Sequence, residues 1–177
     1  SVRMLSIGTD LASSRRARDI AAAREGIWFS PGIHPHEADN PGPVDELREL
    51  LAHPKAVAIG ETGLDYFKNY SSVPNQKALF VRHLELALEA DKPVSIHCRD
   101  AHPDAIAILR AHAPLRGVIH CFTGTWAENF GNFPHHGSGG KFVARLLDDA
   151  EGLGHLHPAD QVAVVAIAAL ADGHVEL

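Results

Sequence analysis

Three short apolar runs of this chain each end in a polar residue able to bind a cation or move a proton. They read Ala56-Val-Ala-Ile-Gly-Glu61, Pro93-Val-Ser-Ile-His97 and Gly117-Val-Ile-His120. An earlier run, Ile27-Trp-Phe-Ser-Pro-Gly-Ile-His34-Pro-His36, ends the same way. Carboxylate and imidazole donors brought together from several strand ends are what a divalent metal site requires. Such an ion would ionise water near neutral pH and neutralise charge building on phosphoryl oxygens. The mixed oxygen and nitrogen set does not discriminate sharply among Mg, Mn and Zn. A metal-dependent hydrolase is the leading expectation.

The elements that must carry these residues are legible in the same pattern. Four or five apolar residues between glycines and prolines read as a buried parallel strand. Strands are expected at Met4 to Ile7, Ile27 to Ile33, Val57 to Gly60, Val94 to His97 and Val118 to His120. Helices are expected at Ser13 to Arg24, Pro43 to Ala52, Pro74 to Ala90 and Pro103 to His112. In the longest, Phe80, Leu84, Ala87 and Leu88 follow the rhythm of a buried stripe. Alternating βα units build parallel sheets with helices outside. Positions 34, 61, 97 and 120 are spaced by about 30 residues, one βα unit of a (β/α)8 barrel per step. No Gly-rich phosphate loop follows any strand, which weighs against a nucleotide-binding open sheet.

From about residue 125 the rhythm is lost. A Gly137-Ser-Gly-Gly140 tract resembles a linker, Phe142 to Leu153 reads as a helix, and Val162 to Ala171 as a helix or a buried strand. The chain therefore divides into a barrel-like part, residues 1–126, and a divergent segment, residues 127–177. The expected class is α/β, an incomplete TIM-like (β/α) barrel with an atypical C-terminal tail.

Composition narrows the classes further. An apolar share of 45% and a charged share of 21% suit a soluble globular chain. No apolar run approaches the roughly 20 residues of a membrane span, and the first residues lack a signal-peptide pattern, so the expected place is the cytoplasm. A net charge of -6 argues against a duplex binder that relies on a basic surface. It does not exclude an enzyme that grips a phosphate locally. Cys98 and Cys121 read as buried packing residues. His53, His83, His102 and His112 read as solvated helix residues, and His135, His136, His155 and His157 as solvated tail residues.

Taken together, Gly-Ile-His34-Pro-His36, Gly-Glu61-Thr-Gly-Leu-Asp65-Tyr, Ile-His97-Cys-Arg99-Asp100-Ala and Ile-His120-Cys-Phe-Thr-Gly124 resemble the TatD family of metal-dependent hydrolases. The resemblance implies a TIM-like barrel and divalent-metal-dependent cleavage of DNA or other nucleic acid, 3′-to-5′ exonuclease in type. It also implies Glu61, His97 and His120 as metal ligands, with Glu61 and His34 catalytic. His34 is placed near the substrate phosphate, with His36, Asp65, Arg99 and Asp100 as further substrate-binding positions.

Family members also carry a first strand with a His-x-His pair and a closing strand with an aspartate, and neither is matched here. The alternatives are a catalytically impaired barrel fragment that still binds metal or nucleic acid, or a related ester hydrolase such as an aminoacyl-tRNA deacylase. Open strand edges predict marginal stability or self-association; the sequence does not fix the oligomeric state.

Overall fold

The computed structural model describes residues 3–112 and 115–120, and beyond them the backbone of two strands at 143–146 and 163–167. Its elements alternate from the start. They are β1 (Met4–Ile7), α1 (Leu11–Ala22), β2 (Ile27–Ser30), α2 (Leu47–Leu51), β3 (Ile59–Asp65), α3 (Val73–Ala90), β4 (Val94–Arg99), α4 (His102–Ala111) and β5 (Gly117–His120). All five strands run parallel. β1 pairs with β2, and β3, β4 and β5 lie side by side in order. The two sheets are joined where Phe29 and Val57 exchange backbone bonds with Lys55 and Phe29, and where Gly60 N–H donates to Pro31 O. This is the wall of an incomplete (β/α) barrel, with every site-bearing strand delivering its C-terminal end to the same side.

Beyond β5 the succession changes. β6 (Val143–Leu146) and β7 (Ala163–Ile167) extend the sheet, but β7 lies next to β5 and β6 outside it. The helix expected at Phe142 to Leu153 is therefore corrected: Val143–Leu146 is a strand. Ala, Arg and Leu favour a helix locally, and pairing with β7 overrides that weak preference. Val162 to Ala171 resolves to its strand alternative over Ala163–Ile167.

Helix starts follow local chemistry. Asp10 caps α1 by accepting from Ser13 N–H while Ser13 Oγ accepts from Asp10 N–H, a reciprocal capping box. Pro sits in the first turn of α3 and of α4, where its missing N–H has no partner to lose. The core lies between strands and helices, with Phe29, Leu47, Ile59, Leu64, Phe80, Leu84, Ile96 and Ile119 fully buried. In α3 the buried face is Leu79, Phe80, His83, Leu84, Leu86 and Ala87, whereas Leu88, expected in the stripe, is exposed. His83 and His102, expected in solvent, are buried. Cys98 is a buried free thiol whose pKa burial pushes up to about 12, consistent with packing, while Cys121 and the four tail histidines lie outside the described residues. No helix among the described residues is long and apolar enough to cross a membrane.

Candidate metal centre

β3 runs further than its apolar residues suggest. It passes through Glu61 to Asp65, with a register shift against β4 between Ile59 and Thr62. Two glycines permit this. Gly60 and Gly63 hold φ of 119° and 137°, which L side chains rarely adopt, and a Cβ on Gly63 would stand 2.0 Å from His97 O. The close approach brings β3 against β4 where Glu61, Asp65 and His97 project. His97 is paired in register with Gly63 on one side and His120 on the other.

His34 and His36 arrive on the segment after β2. Ser14 Oγ bonds both Gly32 N–H and Gly32 O, each at 3.1 Å, and Ser30 Oγ donates to Gly60 O at 2.7 Å. Buried His83 holds the next residue: its Nε2 accepts from Ile33 N–H at 3.1 Å, and its Nδ1–H donates to Leu79 O at 2.8 Å. That arrangement needs neutral imidazole, and burial keeps it neutral, lowering its pKa to about 4. A 3-10 turn at Pro35–Glu37 follows, capped by His34 Nδ1, which accepts from His36 N–H at 3.2 Å.

These elements bring three imidazoles and two carboxylates together. Glu61 Oε1 lies 3.1 Å from His97 Nδ1 and 3.5 Å from His34 Nε2. Asp65 Oδ2 accepts from His97 Nε2 and from His36 Nε2, both at 3.0 Å. Asp65 Oδ1 accepts from the N–H groups of Phe67 and Lys68. Gln76 bonds the Asp65 backbone at both N–H and C=O. Burial opposes the charge on Asp65, but the bonds from Lys68 N–H, His36 and His97 outweigh it and bring its pKa to about 2. It is an ionised, buried acceptor.

The consequence falls on His97. With its Nε2 proton given to Asp65, its Nδ1 lone pair faces a Glu61 oxygen at 3.1 Å. Two acceptors so placed repel unless a cation joins them. Without a metal that cation is a proton: burial works against it, yet the bonds to Glu61 and Asp65 prevail and raise the His97 pKa. A divalent ion satisfies the same pair. Ligand atoms about 2.1 Å from one ion stand roughly 3–3.5 Å apart, close to the two spacings around Glu61 Oε1. His34, Glu61 and His97 each offer a ligand atom, all within 4.8 Å of one another. The donor set fits a divalent metal.

His34 stands differently. Burial first, and then the neighbouring His97, lower its pKa to about 4, so it is neutral near pH 7. Because Nδ1 accepts from His36 N–H, the remaining proton is on Nε2 and aimed at the cluster. With no ion bound, His34 thus donates from Nε2 toward Glu61, and the same atom becomes a metal ligand only in the other neutral tautomer.

Of the residues singled out from sequence, His34, His36, Glu61, Asp65 and His97 converge. The His120 side chain lies outside the described residues. Arg99 is half-buried, its Cζ 3.8 Å from the centre of the Phe67 ring. Asp100 is exposed, in a left-handed turn with φ of 54° between β4 and α4, and is not part of the cluster. Sequence reasoning missed His83 and Gln76. Both sit on the buried face of α3, and position 83 is one helical step from 79, 80 and 87, the only signal that could have found it.

A sequence model of TatD-related DNases matches residues 1–135. The chain is 40% identical over 121 residues to an uncharacterized metal-dependent hydrolase, YcfH, of Escherichia coli K12, covering 67% of this chain and 46% of that protein. It is 43% identical over 130 residues to a protein of Edwardsiella piscicida named 3'-5' ssDNA/RNA exonuclease TatD, covering 71% and 50%. Among solved structures, it superposes on the TatD homologue YJJV of E. coli K12 with a TM-score of 0.66 at 28% identity, covering 73% of this chain and 52% of that one. For a TatD family hydrolase of Entamoeba histolytica the TM-score is 0.64 at 26% identity, over 71% and 46%. The chain spans about half the length of the curated relatives it matches.

Proposed function

The chain belongs to the TatD-related DNase family, and on that premise we propose that it is a divalent-metal-dependent hydrolase of nucleic-acid phosphodiester bonds, acting 3′-to-5′. The observation that carries this reading is the placement of Glu61 Oε1 and His97 Nδ1 3.1 Å apart, a hydrogen-bonded pair whose shared proton a divalent ion can replace. Glu61 and His97 would hold the ion, with His120, whose Cα is in register with that of His97, as the third ligand implied by the family motif. When bound, the ion supplies an ionised water near neutral pH and neutralises charge on the phosphoryl oxygens.

The remaining work belongs to the chain's own side chains. Asp65 holds His97 by its Nε2–H, turning Nδ1 toward Glu61. The same carboxylate oxygen anchors His36, whose ring packs 4.2 Å from that of His34. Neutral His34 offers Nε2–H to a phosphoryl oxygen as negative charge develops there. Asp65 and His36 are thus assigned positioning roles in place of direct substrate contact. Arg99 keeps a phosphate-facing role; the placement of Asp100 lends no support to one. The division at residue 126 stands as part of the proposal; the family match runs on to residue 135.

The test is calorimetric titration of Mn²⁺ into the chain and into Glu61→Ala, alongside digestion of end-labelled single-stranded DNA. The parent should bind Mn²⁺ and release nucleotides from the 3′ end, and the variant should do neither. Stoichiometric Mn²⁺ binding by Glu61→Ala would overturn the ligand assignment. Turnover of aminoacyl-tRNA esters alone, with DNA and RNA intact, would overturn the phosphodiester assignment.

A further inference from the structure

The loop joining β3 to α3 leaves two aromatic rings in solvent beside the cluster. Phe67 is 53% and Tyr70 64% exposed. Free aromatic surface of this size is costly in water, and nothing in the loop's construction requires it, because the backbone is fixed by polar groups. Asp65 Oδ1 accepts from Phe67 and Lys68 N–H at 3.0 and 2.9 Å. Ser71 Oγ donates to His36 O at 2.7 Å, and Gln76 Nε2 donates to Ser71 O at 2.9 Å. Asp39 Oδ1 accepts from Ser72 N–H, closing the far end. The rings are held out by a rigid frame.

They are also coupled to the site and flanked by cations. Tyr70 and His36 meet in a T-shaped pair with ring centres 4.7 Å apart, and His36 bonds the same Asp65 oxygen as His97. Arg99 Cζ lies 3.8 Å and Lys68 Nζ 5.5 Å from the centre of the Phe67 ring. Exposed aromatic rings interleaved with Arg and Lys match the chemistry of unpaired nucleobases joined by phosphates: the bases stack and the cations follow the backbone. Bases paired in a duplex have no free face to offer.

We propose that Tyr70 and Phe67 form a stacking platform for the bases of a single-stranded nucleic acid whose scissile phosphate lies at Glu61, His97 and His34. The platform makes the bases, and not the phosphates alone, a determinant of substrate affinity. Lys68 and Arg99 hold the adjoining phosphates. This rests on the phosphodiester reading, and its test separates the two.

Fluorescence anisotropy is measured on the full chain with a labelled oligothymidylate and with an abasic strand of the same phosphate count. The same pair is titrated into a Phe67→Leu/Tyr70→Leu variant whose circular dichroism and melting match the parent. The parent should bind the base-bearing strand about tenfold more tightly than the abasic one, and the variant should bind the two alike. Equal affinity of the parent for both strands, or an undiminished preference in the variant, overturns the platform and leaves the phosphodiester reading standing. Failure of both strands to bind overturns the nucleic-acid reading itself. Co-sedimentation of the parent with phosphatidylglycerol vesicles, lost in the variant while strand preference persists, would assign the rings to a membrane surface instead.

Discussion

Asp65 does more for the cluster than any residue that faces it. One buried oxygen accepts from two imidazoles, and the other from two backbone N–H groups. Asp65→Asn sets an NH2 either against the two ring N–H groups or against the N–H groups of Phe67 and Lys68, so one pair of donors loses its acceptor and His97 loses its fixed orientation. Losing such an outer partner costs roughly 10–100-fold in metal affinity; calorimetry with Mn²⁺ on a folded Asp65→Asn variant should show a drop of that size. Undiminished affinity would mean that Asp65 serves the loop alone. His34 predicts the opposite signature. As a donor and not a ligand, its replacement by Ala should leave Mn²⁺ affinity within a few-fold of the parent while turnover falls about 10²-fold, the scale for one lost donor to a developing oxyanion. A His34→Ala chain that no longer binds Mn²⁺ would make His34 a ligand after all.

At the scale of elements, α3 reaches across to fix the segment after β2, and His83 is the contact that titrates. Its pKa stands near 4 in the folded chain against an ordinary value near 6.5. Above pH 6.5 it is neutral whether folded or unfolded, and it makes stability no steeper with pH. As pH falls below 6.5 the unfolded chain takes up a proton that the folded chain refuses until about pH 4, so stability declines across that interval. The loss from this one group is about 3 kcal/mol at most. Urea denaturation at pH 7 and pH 4.5 should show His83→Gln losing less stability on acidification than the parent, and an equal loss would remove His83 from the account.

The same elements show what the sequence could reveal. β1, β2, β4, β5 and the four helices are legible because apolar periodicity and Pro positions are local signals. The full span of β3 is not: the expected strand stops at Gly60, and pairing with β4 carries it on through Glu61 to Asp65. The convergence of Glu61 with His97 follows from βα spacing. The bond of His36 to Asp65 depends on the path of an irregular segment, for which no spacing rule exists. His83 was hidden by its type, since a polar residue on a buried stripe breaks the pattern that would have placed it.

At the scale of the molecule, β1 is an edge strand of the wall among the described residues. Among the described residues β1 pairs with β2 alone, and Met4, Leu5 and Ile7 are 53%, 46% and 42% exposed along it. A parallel strand has both faces covered in a closed barrel, whereas β1 exposes apolar residues on both faces and, among the described residues, pairs on one edge only. Unpaired N–H and C=O groups beside apolar side chains are a template for another strand. In a solution of this chain alone the available strand is the β1 of another copy. The expected outcome is a species heavier than a monomer, growing with concentration, by size-exclusion chromatography with light scattering. A lysine at Leu5 keeps the local backbone but places a charge on the edge, a device that blocks strand addition. Leu5→Lys should move the chain toward the monomer without displacing Glu61 or His97, which lie on β3 and β4, so Mn²⁺ binding should persist in the monomeric fraction. A parent that stays monomeric at every concentration would show that β1 recruits no strand from another copy.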